Sequence, residues 1–447
     1  MSRLMTRALL GAAAGIALVS GAQAADMPVK AKAVEYVKIC SAYGAGFYYI
    51  PGTDICLRVG GYVFLETGVK GRNAAVDVIY DGADGFNSTD NYMQWRARGH
   101  VILDARQNTA YGTLRAYFVG GVSYSNTASG PQPAGAPDAG PQAPAGTNTG
   151  ASLDRAFIEF AGFTAGFTES FFSFGGAYSI VASPSLSWDW LPLIAYTAQL
   201  GNGLTATVSF EDGGARRSGM APSNLGFSAQ YGGTNMPDIV GNVRVTQAWG
   251  SAQIMGALHE LKTNIASEPE SSWGHALGAG IELKTPQTGN PNNSFLLQGV
   301  YSKGAVEFTG LAASPVTTVS TLGFVLGSSG AVAPVVDAAG VGPDLFKTKA
   351  WSVYGGYRHY WTPALRTGFA AGMTKIDYAQ LLNEFGVPDA RVWQGTMSTI
   401  WSPVAGLDLS LDLVYSNVKT SGCPEVDELC GNSEDIWTAW TRIRRNF

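Results

Sequence analysis

Charge is scarce in this chain. Asp, Glu, Lys and Arg together make up 14% of its 447 residues, where ordinary soluble domains carry about a quarter. Histidine is scarcer still, with four, at 100, 259, 275 and 359. None stands in a recognisable motif and no Gly-x-Ser-x-Gly elbow occurs, which argues against a hydrolase built on an activated nucleophile or water. Long apolar runs are missing too. Beyond the first two dozen residues no stretch reaches the ~20 residues that a spanning helix needs. The nearest candidate, 310–336, is uncharged but broken by Pro315 and Pro334, and it reads as a long loop. A net charge of −5 offers no basic surface for nucleic acid. Cysteine is confined to positions 40, 56, 423 and 430. No histidine or further thiol stands close to either pair, so neither a metal nor a cofactor is expected.

What is present points out of the cytoplasm. Arg3 and Arg7 precede a short apolar run, 9–19, and Ala22-Gln23-Ala24 supplies a small-x-small cleavage pattern. Residues 1–24 read as a signal peptide, leaving 25–447 as the mature chain. Losing Arg3 and Arg7 takes the net charge from −5 to −7. In an oxidising compartment the four cysteines suggest two disulfides, the pairings nearest in sequence being Cys40 with Cys56 and Cys423 with Cys430.

The mature chain alternates. Leu57, Val59, Val63 and Leu65 share one face of a segment, while Arg58, Tyr62 and Glu66 share the other. Trp95, Ala97, Val101 and Leu103 oppose Gln94, Arg96, Arg98, His100 and Asp104; Leu407, Leu409, Leu411, Leu413 and Tyr415 oppose Asp408, Ser410 and Asp412. A period of two means strands with one apolar and one polar face. A soluble sandwich would pair its apolar faces inward, whereas a membrane barrel turns them to lipid and wets the polar face. Long strands favour the barrel, as do aromatic residues near strand ends, at Trp351, Tyr360, Trp361, Trp393, Trp401 and Trp437, where interfacial girdles form. Connections alternate between short (106–109, 201–203, 362–363, 402–406) and long (125–150, 175–193, 213–236, 308–348, 417–433), as in barrels with short turns at one end. Segment by segment the pattern gives about 16 strands, an even number in the porin range. The stretch 125–150 is dense in Pro, Ala and Gly. Alternation continues on both sides of it, so 25–447 is expected to be one all-β, antiparallel transmembrane barrel.

Two blocks of sequence carry a family likeness. The run from Val34 to Cys40, then Tyr43-Gly44-Ala45-Gly46-Phe47-Tyr48-Tyr49-Ile50-Pro51-Gly52-Thr53-Asp54 and Cys56-Leu57-Arg58-Val59-Gly60-Gly61-Tyr62-Val63, resembles the opening of the alphaproteobacterial porin family. The ending Arg442-Ile443-Arg444-Arg445-Asn446-Phe447 resembles that family's terminus. The resemblance implies an outer-membrane general-diffusion porin of a Gram-negative bacterium, trimeric, with a third long loop folded into the lumen. Matched onto this chain that loop is 175–193, where Asp189 is the only acid although the family's loop is often acidic. The expected partners are two further copies of the chain, outer-membrane lipid and lipopolysaccharide, and small hydrophilic solutes. The barrel-assembly machinery is a further expected partner, for which the terminal Phe447 resembles the recognition signal.

Selectivity would reside in the lumen charges. Arg96 and Arg98 share the inward face of one strand, Arg115 that of the next and Arg155 that of the strand after. With neighbouring strands under 5 Å apart they could form a guanidinium ladder, the candidate pore constriction. Glu159 and Asp189 are the candidate opposing carboxylates. The plainer alternative is that these arginines are solvated and paired with nearby acids. A rival function is a solute-specific channel, with Trp188 and Trp190 stacking a sugar or the arginines binding an anion; a barrel hydrolase using His100 or His259 is the weaker alternative.

Overall fold

A computed structural model of the chain describes residues 38–70, 93–125, 148–180, 185–220, 231–263, 271–311, 324–326, 331–333, 335–341, 344–378, 383, 389–421 and 433–447. The expected signal peptide, residues 126–147, and the pair Cys423 and Cys430 lie outside the described residues. No helix among those described is long and apolar enough to cross a membrane. The chain crosses with strands.

Among the described residues, sixteen strands form the barrel wall. In chain order they are β1 Cys56–Lys70, β2 Met93–Thr109, β3 Gly112–Ser125, β4 Asn148–Phe160, β5 Phe163–Glu169, β6 Trp190–Gly201, β7 Leu204–Glu211 and β8 Asp238–Gln247. They continue as β9 Gly250–Lys262, β10 Ser271–Lys284, β11 Ser294–Lys303, β12 Lys349–Thr362, β13 Leu365–Asp377, β14 Asp389–Val404, β15 Leu407–Ser421 and β16 Ser433–Asn446. Each pairs antiparallel with the next, and β16 pairs with β1, from Tyr62↔Asn446 to Lys70↔Thr438. The seam is extended by Phe447, whose N–H donates to Gly61 O and whose carbonyl accepts from Gly61 N, both at 3.0 Å. Closure leaves no edge, which a wall surrounded by hydrocarbon requires.

The alternation read from the sequence is the alternation of the wall. Val63, Leu65, Trp95, Val101, Leu411 and Leu413 are exposed on the outer surface, whereas Tyr62, Phe64, Glu66, His100, Asp104 and Asp412 are buried inside. Trp361, Trp393, Trp401 and Trp437 are exposed near strand ends, at the girdle positions. At one end the turns are tight, as at Asn202-Gly203, where both residues adopt positive φ, the type I′ conformation that matches strand twist. Two short connections differ from their expected places. Strand β2 keeps pairing through Thr109↔Gly112, so its turn is at Ala110-Tyr111 rather than 106–109, and β14 runs to Val404 before Ala405-Gly406 turns it.

Ahead of β1, a Cys40–Cys56 disulfide closes a small hairpin in which Tyr48–Tyr49 pairs with Leu57 and Cys56. Phe47 is buried beneath Arg58 and Arg106, at 5.2 and 5.1 Å from its ring centre, and Arg106 also covers Tyr43. The segment thus lies against the inward arginines at the tight-turn end of the barrel.

Candidate functional site

Five neighbouring strands, β16 and β1 to β4, carry arginines on their inner face. On β1 the register sets Arg442 and Arg96 on either side of Glu66, and Arg444 and Arg98 on either side of Phe64. Both Arg96 and Arg442 donate to the buried Glu66, Arg442 through Nε at 2.7 Å. Three guanidiniums cover the Phe64 ring, Arg442 at 4.7 Å, Arg96 at 5.6 Å and Arg98 at 5.8 Å, and Arg444 covers Tyr62 at 4.1 Å. Stacking of this kind uses the flat face of a guanidinium and leaves its N–H edge available.

Nearer the tight turns, Asp104 is fully buried and gathers three arginines. Arg106 donates to it at 2.9 and 2.8 Å and Arg115 at 3.0 and 3.2 Å, while Arg58 stands 3.6 Å away. A bulge then alters β4. Pairing with β3 jumps from Val119↔Arg155 to Gly120↔Leu153, so Asp154 is the extra residue and both Asp154 and Arg155 turn to the lumen. Asp154 accepts from Tyr62 Oη at 2.9 Å and lies 3.0 Å from His100 Nδ1 and 3.6 Å from Arg98. Arg155 reaches Glu169 only at 3.9 Å and stacks on Trp190 at 5.6 Å.

The opposite wall is covered. Residues 170–180 and 185–189 fold inward and dock along strands β7 to β15. Glu211 on β7 accepts from Ser170 Oγ and Phe171 N at 2.6 and 2.9 Å. Gln253 on β9 donates to Ser173 O, and Ser187 N donates to Gln298 on β11. Tyr178 bonds Glu282 and Ser294, and Arg358 lies 4.4 Å over its ring. At the far side Asp412 on β15 accepts from Ser179 Oγ at 3.0 Å and Ile180 N at 2.7 Å. Between these bonds Phe172, Phe174 and Leu186 are fully buried against inward Met255, Ala276, Leu296 and Tyr354. Two glycines admit the loop: a Cβ at Gly280 would meet the Phe174 ring at 2.2 Å, and one at Gly368 would meet Tyr178 O at 2.0 Å.

A polar knot fastens the longer loops above this seat. Asp337 accepts from Val306 N at 2.7 Å, Ser218 N at 2.9 Å and Tyr231 Oη at 2.8 Å. His259 on β9 bonds Asp238 at 2.8 Å and Tyr231 at 3.1 Å. Burial raises the Asp337 carboxyl above the usual range. Burial, and then the neighbouring Asp189, push Glu307 up to about 8.

The candidate residues therefore divide. Arg96, Arg98, Arg115 and Arg155 lie on one wall, each with a carboxylate within 4 Å. Glu159 is beside Arg115, its register partner, at 2.9 Å, and does not face it across the lumen. Asp189 closes the base of the inturned loop, accepting from Trp190 N at 2.7 Å, and its charged neighbours are Arg216 and Glu307, not the ladder. The loop is 170–189 rather than 175–193, since Trp190 already begins β6. Trp188 and Trp190 pack edge to face at 5.0 Å, with Trp188 against the apolar cluster, which fits anchoring better than sugar stacking. Asp154, Arg442 and Arg444 are additions. The Arg-x-Arg alternation before Phe447 was a signal for the last two, but nothing in the sequence marked the bulge.

Residues 26–439 match the profile of a family described as a porin subfamily. Porin Omp2b of Brucella melitensis is 35% identical over 249 residues, covering 54% of this chain and 62% of that protein. Porin Omp2a of Brucella canis is 34% identical over 311 residues, covering 66% and 74%. The chain thus spans about six tenths of the length of the Omp2b relative it matches. Among solved structures, the outer membrane channel DcaP of Acinetobacter baumannii is similar with a TM-score of 0.61 at 17% identity, over 89% of this chain and 99% of that one. That likeness is one of fold.

Proposed function

This chain belongs to the porin subfamily, in the outer membrane of a Gram-negative bacterium, and from that membership we propose that it forms a water-filled channel for passive diffusion of small hydrophilic solutes and ions. The observation that carries the reading is the division of the barrel interior. A closed barrel is crossed by a loop fastened to one wall, and the facing wall keeps its charged side chains turned to the space between. The constriction lies there, between Arg96, Arg98, Arg115 and Arg155 on one side and the inturned loop on the other. Glu159 and Asp189 act locally, as the partners of Arg115 and the loop base. No catalytic step is assigned. His100 and His259 are buried and held by tyrosines and carboxylates, as structural residues are.

We further propose a homotrimer of mature chains, 25–447, released from a signal peptide. Strand β5 has seven residues and β7 eight. Seven residues run about 23 Å and, tilted about 40°, rise about 18 Å, short of the ~25 Å apolar band. This low stretch of wall, with exposed Ile194, Val208 and Phe210 beside it, is suited to cover by neighbouring copies. Lipid and lipopolysaccharide would surround the rest, and Phe447 would serve the barrel-assembly machinery. Planar-bilayer recording of the purified protein tests the proposal. Large ohmic steps that close in threes are expected, and a silent bilayer from folded protein would sink the channel.

A further inference from the structure

We infer that the lumen wall is an anion station centred on Arg98 and Arg444, which takes small dianions bearing carboxylate or phosphate oxygens and makes the channel anion-selective. The inference rests on the channel reading and deepens it. Among the described side chains of β16 and β1 to β5, eight inward arginines share five carboxylates, Glu66, Asp104, Asp154, Glu159 and Glu169. The surplus is not evenly spread. Glu66 is fully engaged by Arg96 and Arg442, and Asp104 by three guanidiniums. The one carboxylate near Arg98 is Asp154, at 3.6 Å and already serving Tyr62 and His100; Arg98 also reaches the Tyr62 hydroxyl, and its buried Nε has no hydrogen-bond partner among the described residues. Arg444 donates to the amide oxygen of Asn446 at 2.8 Å, with no carboxylate within 4 Å among the described residues.

Geometry makes these two a pair. They flank Phe64 at one level, on strands either side of β1, so their backbones stand about 10 Å apart. Their guanidiniums lean inward over the Phe64 and Tyr62 rings. Stacking fixes each cation in place and spends no N–H group, so the donor edges are preorganised for an oxyanion. The loop facing them does not oppose this charge. Its residues 170–189 contain one acid, Asp189, at the base and beside Arg216. Asp412 on β15 accepts from Ser179, Ile180 and Ser398, and its charge acts on Arg442. A guanidinium row that outnumbers its carboxylates selects anions in a narrow aqueous path, and arginine keeps its charge throughout the usable pH range.

The test is a reversal potential in a potassium chloride gradient, followed by titration of inorganic phosphate and of malonate against chloride current. Wild-type protein is expected to be anion-selective, and each dianion to lower the chloride current along a saturating curve. In R98Q/R444Q the selectivity falls toward zero or reverses, and the saturating block weakens at least tenfold, while open channels persist. Block by phosphate alone would restrict the station to phosphate oxygens, and block by both supports the shared oxyanion chemistry. Heat-modifiable migration checks folding, and R445Q, which alters an arginine on the outer face that donates to Ala405 O, should match wild type. Cation selectivity in the wild type, or block that is unchanged in R98Q/R444Q, overturns the inference and leaves the channel standing. Absence of any conductance overturns the channel itself.

Discussion

Phe64 and Phe174 both lie inside the barrel, and they are buried by opposite means. Phe64 is roofed by guanidiniums that hold one another apart and meet carboxylates from below. Phe174 is sealed by a folded-in loop among aliphatic and aromatic neighbours. The first wall presents water with charge; the second is a miniature core with lipid at its back. One set of sixteen strands thus supports two interiors, and the difference is made by what covers each. A bare inner face must be polar, and a covered one is free to be apolar.

The largest expected effect on the current comes from breaking the covered wall. Phe174→Ala removes a side chain from a closed cluster, which costs roughly 3–5 kcal/mol in such settings. The loop should leave its seat, giving larger unitary steps and new protease sensitivity within 170–189, with the sign of selectivity retained. Unchanged step size would mean that the loop does not bound the passage.

pH should act next, and on the same wall. Glu307 lies beside Phe308 and Asp189, and its acid is pushed from 4.5 to about 8. The neutral form suits the folded seat, so its contribution is complete below the ordinary value, declines as pH rises and is lost once pH passes about 8. Loop protection from protease should therefore be stronger at pH 5 than at pH 9, and E307Q should flatten that difference. A flat profile in the wild type would contradict the assignment.

Changing the arginine wall should alter selectivity with less effect on size. Glu66→Gln removes the carboxylate between Arg96 and Arg442, at about 1–3 kcal/mol for the charged hydrogen bonds lost, and frees two cations. Anion preference should rise in the reversal potential, and a shift toward cations would be contrary. The smallest effect is expected at the edge of that wall. Replacing Cys40 and Cys56 by Ser removes a link closing 16 residues, worth about 3 kcal/mol by chain entropy. That loss is local to the hairpin under Arg58 and Arg106. Thermal unfolding of the barrel should barely move, while protease access at 38–55 rises; collapse of the whole barrel would show that the hairpin supports more than itself.

The contrast also explains what the sequence disclosed. Strands on the bare wall alternate cleanly, as in Leu57 to Glu66, and their faces were legible. On the covered wall Met255, Ala257, Leu296 and Val300 point inward among scattered polar residues such as Gln253 and Gln298, so alternation fades where much of both faces is apolar. Loop bounds were misplaced for a related reason: Phe171 to Phe174 and Trp190 to Leu193 are equally apolar, and only register separates seat from strand. Glu159 is a neighbour of Arg115 by strand pairing, which no single segment reveals. Asp154 required the bulge, and the knot of Asp238, His259, Tyr231 and Asp337 joins segments far apart in the chain.

The seam between β1 and β16 carries a temporal consequence. The bond from Arg442 to Glu66 spans 376 positions, so it belongs to the latest class of contact that a chain can make. Arg442 and Arg444 arrive on the final strand, whereas Arg96 and Arg98 can be in place long before. Half of the cationic patch around Phe64 is therefore missing from any barrel that is still open. An intermediate with a gap would leak without discriminating, and the capacity to tell anions from cations would arise in the same event that ends assembly.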